Sequence, residues 1–440
     1  MIKKRFNYIT MALTSICFLY FGVSFIMDAL NAWNHMYQII FFVSIALGVI
    51  KILNLIFNFK KAERKIQQLA DIILWVIMLV FGISNPKLLY RLVPTFIGCW
   101  ILLHAIVKLI VIYIKIKDHL TIHVYRIFFL FVDLSISSFL INNPLGHQKL
   151  IGFCIGFYFI FYGLNRFLDL LKECIPNTKK ESIDHHIQLA IPPFLSALLP
   201  PHLIRTLLNK DKEDEIKEEF DEIKDNISID LEVLIHLAPS GPAMFGHTDL
   251  IYHDYVISYG CYDPHERHLF GTLGDGVVLT AQKDTYIYNC LKNENKILIG
   301  FGIHLNETQK QQIEQQIKKL TEQFYPFYSD EERKRMKLPY KGECDDYISR
   351  VTRTSPTSHF YKIKEGKLKT FFVLSTNCVY FMSTILHVLG LNLIDISGII
   401  SPGAYYDFMN KQFKSNKGFV ISRKLYRKKD AEAFHTWKDD

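Results

Sequence analysis

Six apolar runs, at about residues 8–27, 36–58, 69–84, 92–114, 124–141 and 150–171, constrain this chain more than any other feature. A helix needs about 20 apolar residues to cross roughly 30 Å of hydrocarbon. Four of the six clearly reach that length, and the third and fifth are shorter. Backbone groups inside a bilayer must be satisfied within their own segment, so the runs read as helices. Tyr8–Met27 is too long an apolar run, and Met1–Phe6 too short a charged region, for a cleaved signal peptide. The first run is therefore expected to stay as a helix.

Basic residues in the short loops orient these helices. Lys3, Lys4, Arg5, Lys60, Lys61, Arg64, Lys65, Lys115, Lys117 and Arg126 fall on one side, and only Lys87, Arg91 and Lys149 on the other. The N-terminus is thus expected in the cytosol. Six crossings return the chain to the same side, where Lys172, Lys179 and Lys180 agree. The remainder should be cytosolic, with reduced thiols.

Residues 209–440 read as an ordinary soluble domain, which is why a chain 50% hydrophobic can also be 21% charged. That apolar content excludes disorder, and 8 cysteines scattered over 440 residues exclude a disulfide framework. The formal charge of +8 is no nucleic-acid signal, because many of the basic residues sit in the loops between apolar runs. Four regions are expected: a transmembrane domain over 1–175, an interfacial segment and charged linker over 176–226, a folded domain over 227–428, and a charged tail over 429–440.

The membrane half repeats itself. Gly48-Val-Ile-Lys51, Ala105-Ile-Val-Lys108 and Gly163-Leu-Asn-Arg166 share a small-x-x-basic pattern, with basic residues 57 and 58 positions apart. The arrangement resembles the bacterial HdeD-type acid-resistance membrane proteins. That resemblance implies an all-α six-helix bundle of three helical hairpins in a bacterial cytoplasmic membrane. Lys51, Lys108 and Arg166 are candidates for a transport site. Each also lies close enough to the cytosolic end of its helix for its stem to carry the charge to the interface. Asp133 falls near mid-membrane in the fifth run, where an ionisable group is a functional candidate or a packing partner for Arg166 or Lys108.

Ile187–Leu208 is apolar but broken by Pro192-Pro193 and Pro200-Pro201, which prevents one continuous helix. Short pieces on the cytosolic face are expected, with His202 and Arg205 toward headgroups and membrane lipids as partners. Asn209–Asn226 reads as a solvated helix or tether. From about Ile227 the pattern changes to short alternating runs. Strands are expected at Leu231–Leu237, Thr248–Tyr252, Tyr255–Tyr259, Val277–Ala281, Ile297–Ile303 and Thr370–Leu374, with His253-Asp254 turning a hairpin. A helix is expected over Thr308–Phe324, capped by Asn306 or Thr308. Another runs from Cys378 to before Gly390. Intermixed helices and strands make this an α+β domain.

Cys378 stands in the opening turn of its helix, after Ser375, Thr376 and Asn377, where backbone N–H groups favour a thiolate. Asn377 marks that helix start and a place for an oxyanion. His387 lies nine residues on, about 180° around the same helix, and cannot serve as base. Gly246-His247 at a strand start is the best candidate base. Ser258, Asp249 and His253 each qualify as the group that orients the imidazole. No Cys-x-x-Cys or His-x-x-x-His pair calls for a metal, and no cofactor is expected. Cys261 and Cys290 are candidates for neighbours in the sheet. Gly271-Thr-Leu-Gly-Asp-Gly276 lacks the Lys of a phosphate loop and reads as a hairpin turn, and His185-His186 as solvated linker.

A strand-start histidine followed over a hundred residues later by Asn377-Cys378-Val-Tyr-Phe381 resembles the circularly permuted papain-like thiol enzymes. These include the lecithin:retinol acyltransferase type and permuted NlpC-type proteins, whose Asn-Cys-x-His-Phe carries the nucleophile; Tyr380 stands where that pattern has His. Phe245-Gly-His-Thr248 with Ile257-Ser-Tyr-Gly260 is also similar to a bacterial domain family with a Phe-Gly-His-Thr signature. The resemblance implies a permuted papain-like fold, with Cys378 as nucleophile and His247 as base in hydrolysis or acyl transfer on an ester or amide. A lipid is the first expected substrate and a peptide the second. A different class of function, a non-enzymatic stress or transport-like membrane protein whose cytosolic domain binds a lipid or partner, would rest instead on Asp133 and the repeated basic residues.

Overall fold

The structure, a computed structural model, describes residues 2–57, 72–77, 80, 84–144, 146, 148–174, 221–224, 228–237, 246–389, 402–415 and 419–434. The chain divides into two compact units, Met1–Ile112 with Ile122–Ile183, and Tyr113–Thr121 with Asp184–Asp440.

The first unit is helical: α1 (Ile2–Met27), α2 (Ala29–Phe57), α3 (Pro86–Lys117, whose end belongs to the second unit), α4 (Val124–Asn142) and α5 (Gln148–Cys174). Residues 72–77 of the third apolar run are helical as well. Among the described residues, three spans are long and apolar enough to cross a membrane: Ala29–Ile50, Arg91–Lys117 and Val124–Asn142. Ala12–Met27 and Lys149–Leu164 are shorter apolar helices. Lipid offers no hydrophobic drive for helices to associate, so close approach matters. At Gly22 of α1 an added Cβ would stand 2.9 Å from the Gly156 carbonyl of α5, so only small residues let these backbones meet. The repeated small residues have the same use. Ala105 is wholly buried, and a Cβ on Gly163 would meet Leu19.

Asp133 is buried in α4, and its partner is the Lys108 amine of α3. Lys51 and Arg166 fall within α2 and α5, with their side chains outside the described set. The interfacial segment Ile187–Leu208 and His185-His186 also lie outside it.

The second unit is built on strands β1 (Glu222–Ile223), β2 (Leu231–Leu237), β3 (His247–Tyr252), β4 (Tyr255–Gly260), β5 (Arg267–His268), β6 (Leu273–Asp275), β7 (Val277–Gln282), β8 (Ile297–Ile303), β9 (Phe324–Phe327), β10 (His359–Ile363), β11 (Thr370–Phe372) and β12 (Val420–Tyr426). Its helices are α6 (Lys283–Lys292), α7 (Glu307–Thr321), α8 (Asp330–Arg335), α9 (Tyr347–Thr354), α10 (Cys378–Leu386) and α11 (Pro402–Lys414). Nine strands form one antiparallel sheet in the order β1-β12-β8-β2-β3-β4-β7-β10-β9, and β11-β6-β5 form a second.

All seven residues of β2, in the middle of the large sheet, are buried, because both of its faces are covered. Leu231, Val233, Ile235 and Leu237 point into one core with Ile313 of α7, Phe381 and Ile385 of α10, and Tyr405 and Met409 of α11. On the other face Leu234, Ile251, Val256 and Leu279 pack with Tyr286 and Ile287 of α6 and Ile348 and Val351 of α9. Each such side chain contributes about 1.5–3 kcal/mol by leaving water.

Several segments differ from the sequence expectation. Helix α7 starts after an Asn306 capping box and ends at Thr321, because Phe324–Phe327 leaves the helix to pair with β10. Gly271–Gly276 is not one turn: the chain reverses at Leu269–Gly271, and Leu273–Asp275 pairs on both sides with β11 and β5. Cys261 and Cys290 are not sheet neighbours; Cys290 lies on α6, and the two thiols belong to cores on opposite faces. Glu222–Ile223, within the charged linker, adds an edge strand to β12, and Lys428–Phe434 forms a 3₁₀ segment with Ala431 buried.

Candidate active site

Cys378 opens α10, and the residues before it fix its position. Asn377 is in an extended conformation; its Oδ1 accepts from the Tyr380 N–H at 3.0 Å and its Nδ2 donates to the Val373 carbonyl at 2.8 Å. Thr376 Oγ1 donates to the Thr370 carbonyl at 2.7 Å. The Asn377 side chain is thus committed to holding the helix start. Cys378 is 5% exposed, and His247 and Thr248 stand close enough to act on its sulfur.

Gly246 turns the chain into β3 at a φ of 80°, a conformation open to glycine and strained for most residues. His247 therefore stands at the very start of the strand, where the sheet between the two cores ends. Strand alternation then decides its company. Asp249, two residues on, shares its face, and register places His236 of β2 opposite His247 and Ser258 of β4 opposite Asp249. Four polar side chains form one patch at the end of that face.

Three oxygens surround His247 Nε2: Asp249 Oδ1 at 2.8 Å, the Tyr262 hydroxyl at 2.9 Å and Ser258 Oγ at 3.0 Å. Ser258 and Tyr262 are also hydrogen-bonded to each other at 2.7 Å. The two hydroxyls meet Nε2 in hydrogen-bond geometry, whereas Asp249 Oδ1 makes a close ionic contact without an aligned hydrogen bond. Asp249 itself is wholly buried between two imidazoles. His236 Nε2 lies 2.5 Å from its Oδ2, and the Tyr286 hydroxyl donates to the same oxygen at 2.6 Å.

A carboxylate without water must be matched by charge and hydrogen bonds. Burial alone would raise Asp249, but the two imidazoles hold it well below the usual carboxylate range. Burial likewise works against a charged His247; the Asp249 carboxylate and the Cys378 sulfur reverse this and push it up to about 10. At His236 burial wins over Asp249 and lowers it to about 4, so that ring is neutral near pH 7. For Cys378 burial raises the thiol, yet the His247 charge and the hydrogen bonds from His247 and Thr248 carry it below the ordinary 9.0. The contrast with other thiols is sharp. Burial pushes Cys261 up to about 11 and Cys290 up to about 12, and it raises Cys344 as well.

The structure thus brings together Cys378, His247, Asp249 and Ser258. It leaves out His253, which sits in the turn at the far end of β3 with φ 48° and its ring stacked on Tyr252. Six residues of strand at ~3.3 Å each separate it from His247. His236, Tyr262 and Tyr286 are members that sequence reasoning missed. For His236 a signal was available: Glu232, Leu234 and His236 alternate along β2, and its last histidine falls beside the first histidine of the next strand. Among the described residues no cluster of three or more His, Cys, Asp or Glu is arranged to hold a metal ion.

Comparison with protein-family models, with curated proteins and with solved structures finds no match for this chain.

Proposed function

We propose that this chain is a membrane-anchored cysteine hydrolase or acyltransferase that opens an ester or amide bond, foremost of a lipid, through a thioester on Cys378. What carries this reading is a buried thiol at a helix start beside an imidazole whose Nε2 lies 2.8 Å from a buried carboxylate. We further infer that the helical unit is a six-helix bundle of three hairpins and that the second unit is a permuted papain-like domain on the cytosolic side. Support for the latter comes from chain order, with the strand-start histidine first and the helix-start cysteine later, and from α10 packing on an antiparallel sheet.

In the proposed reaction the Cys378 thiolate attacks the carbonyl carbon, and the π-electron pair moves to oxygen. The N-terminal end of α10 favours that negative charge. As the tetrahedral centre collapses, the C–O or C–N bond breaks and the leaving group takes the proton of His247, giving a thioester and a neutral imidazole. Water or an acceptor hydroxyl or amine then gives its proton to His247 and attacks the thioester, releasing the acyl product and restoring the ion pair. Asp249, Ser258 and Tyr262 keep the ring in place through both steps. Anchoring to a membrane raises the local concentration of lipid esters, which favours a lipidic acyl donor over a diffusing one.

The test is intact-mass measurement of the full-length protein in detergent after incubation with a total lipid extract. Wild type is expected to gain an acyl mass that hydroxylamine removes, and Cys378→Ala to gain none. No adduct and no lipid turnover, with Cys378 alkylated along an ordinary thiol pH curve, would overturn the reading. Turnover of peptide amides alone would move the substrate class from lipid to peptide.

A further inference from the structure

The connection from β5 to β6 ends in Leu269-Phe270-Gly271, and neither apolar side chain is covered. Leu269 is 51% and Phe270 101% exposed. All three residues adopt left-handed backbone, with φ of 48°, 57° and 81°. Glycine bears this freely, whereas for Leu and Phe it is strained. The folded unit also forgoes the gain of burying two large apolar side chains. The tip is nevertheless built rather than loose. The Thr272 N–H and Oγ1 both donate to the Leu269 carbonyl, at 3.2 and 2.7 Å, and His268 pairs with Leu273. Strained backbone at an outward-facing apolar pair points to a binding role.

The rest of the small sheet indicates what the tip meets. Thr370 Oγ1 of β11 donates to Asp118 Oδ1 at 2.8 Å, and Lys117 Nζ lies 3.0 Å from Asp275 Oδ1 of β6. These two residues belong to the Tyr113–Thr121 segment of the second unit, in which the apolar span Arg91–Lys117 ends. Chain enters β11 through Lys364-Glu-Gly-Lys367-Leu-Lys369, three cations against one carboxylate, as suits anionic headgroups. An apolar tip on a short ribbon, in the sheet to which the end of a span is bonded, fits a lipid surface.

We propose that Leu269-Phe270 inserts into the boundary between headgroups and acyl chains. The tip is wired to the nucleophile segment: the Val373 N–H donates to the Thr272 carbonyl at 2.9 Å, and Leu273 pairs with Phe372, six residues before Cys378. Seating the tip therefore seats the strand that leads into Cys378. This contact stands independently of catalysis at Cys378.

Full-length Phe270→Trp, reconstituted in vesicles of zwitterionic and anionic phospholipid with or without brominated acyl chains, tests it. The chain's own 4 tryptophans set a background that wild-type vesicles subtract. The added emission is expected to be quenched by brominated chains and shielded from aqueous iodide. Tyr255→Trp, at a 52% exposed position opening β4, is expected to stay open to iodide and untouched by bromine. Iodide quenching at position 270 would overturn the proposal by placing the tip in water. Shielding from both quenchers would overturn it in favour of a protein partner, and bromine quenching at both positions would remove any special role for the tip. None of these readings depends on turnover.

Discussion

Asp133 and Asp249 are both buried carboxylates, 6% and 0% exposed, held in opposite ways by the two units. Asp133 has the Lys108 amine of a neighbouring helix, on a side chain 40% exposed. Asp249 has two imidazoles and a tyrosine hydroxyl, with a thiol one residue further along the chain of contacts. The first pair joins two helices, α3 and α4. Imidazoles titrate across ordinary pH, and a carboxylate that holds one protonated can set the state of a nucleophile beside it. Partner type, rather than burial, distinguishes the two carboxylates.

The largest test of that comparison removes the reactive group on one side and the carboxylate on the other. Cys378→Ala is expected to reduce turnover of an acyl substrate by more than about 10⁴-fold. Asp133→Asn in the same assay is expected to leave it unchanged; a loss from Asp133→Asn with Cys378→Ala silent would transfer function to the helical unit.

Next in size, His247→Ala is expected to slow turnover by about 10²–10⁴-fold. It also changes the thiol. In wild type the His247 charge favours the thiolate, so alkylation of Cys378 by iodoacetamide should proceed at pH values below the ordinary 9.0. Without the imidazole only burial and Thr248 remain, and the alkylation curve is expected to move up in pH. In wild type the ion pair persists until His247 loses its proton at about 10, so activity should fall on that alkaline side.

Asp249→Asn leaves a buried imidazolium without its counter-charge and is expected to cost about 3–5 kcal/mol in stability, or to neutralise His247 and lower the pH at which activity falls. Asp133→Asn should cost about 1 kcal/mol, since Lys108 can turn toward the interface. Denaturation of the two variants side by side measures the difference. The smallest effect is expected from Ser258→Ala, about 1 kcal/mol in turnover, because Tyr262 and Asp249 still hold the ring. A loss as large as that of Asp249→Asn would make Ser258 the main orienting group.

Much of the framework was legible. β2 and β8 fall where alternating apolar residues place them, the His253-Asp254 turn closes its hairpin, and Asn377 caps the helix that Cys378 opens. Those features are local: side-chain alternation, turn residues and caps act within a few residues of chain. The membrane half is legible in part for the same reason, since length and hydropathy of a run suffice to mark three spans.

The orienting group for His247 was not legible, because three residues within one hairpin carried suitable chemistry. Register keeps two of them beside His247 and sets one apart. Asp249 shares a face with His247, Ser258 lies opposite Asp249 across the ladder, and His253 is carried to the far end of the strand. His236 was hidden in a strand that reads as apolar, and Tyr286 comes from a helix packed on the sheet. The sequence by itself determined the apolar spans, the strand-start histidine and the helix-start cysteine, since each follows from neighbours along the chain. Only the tertiary structure decided that the histidine and the cysteine meet beside one buried carboxylate, because strand pairing and helix packing join residues that the chain keeps far apart.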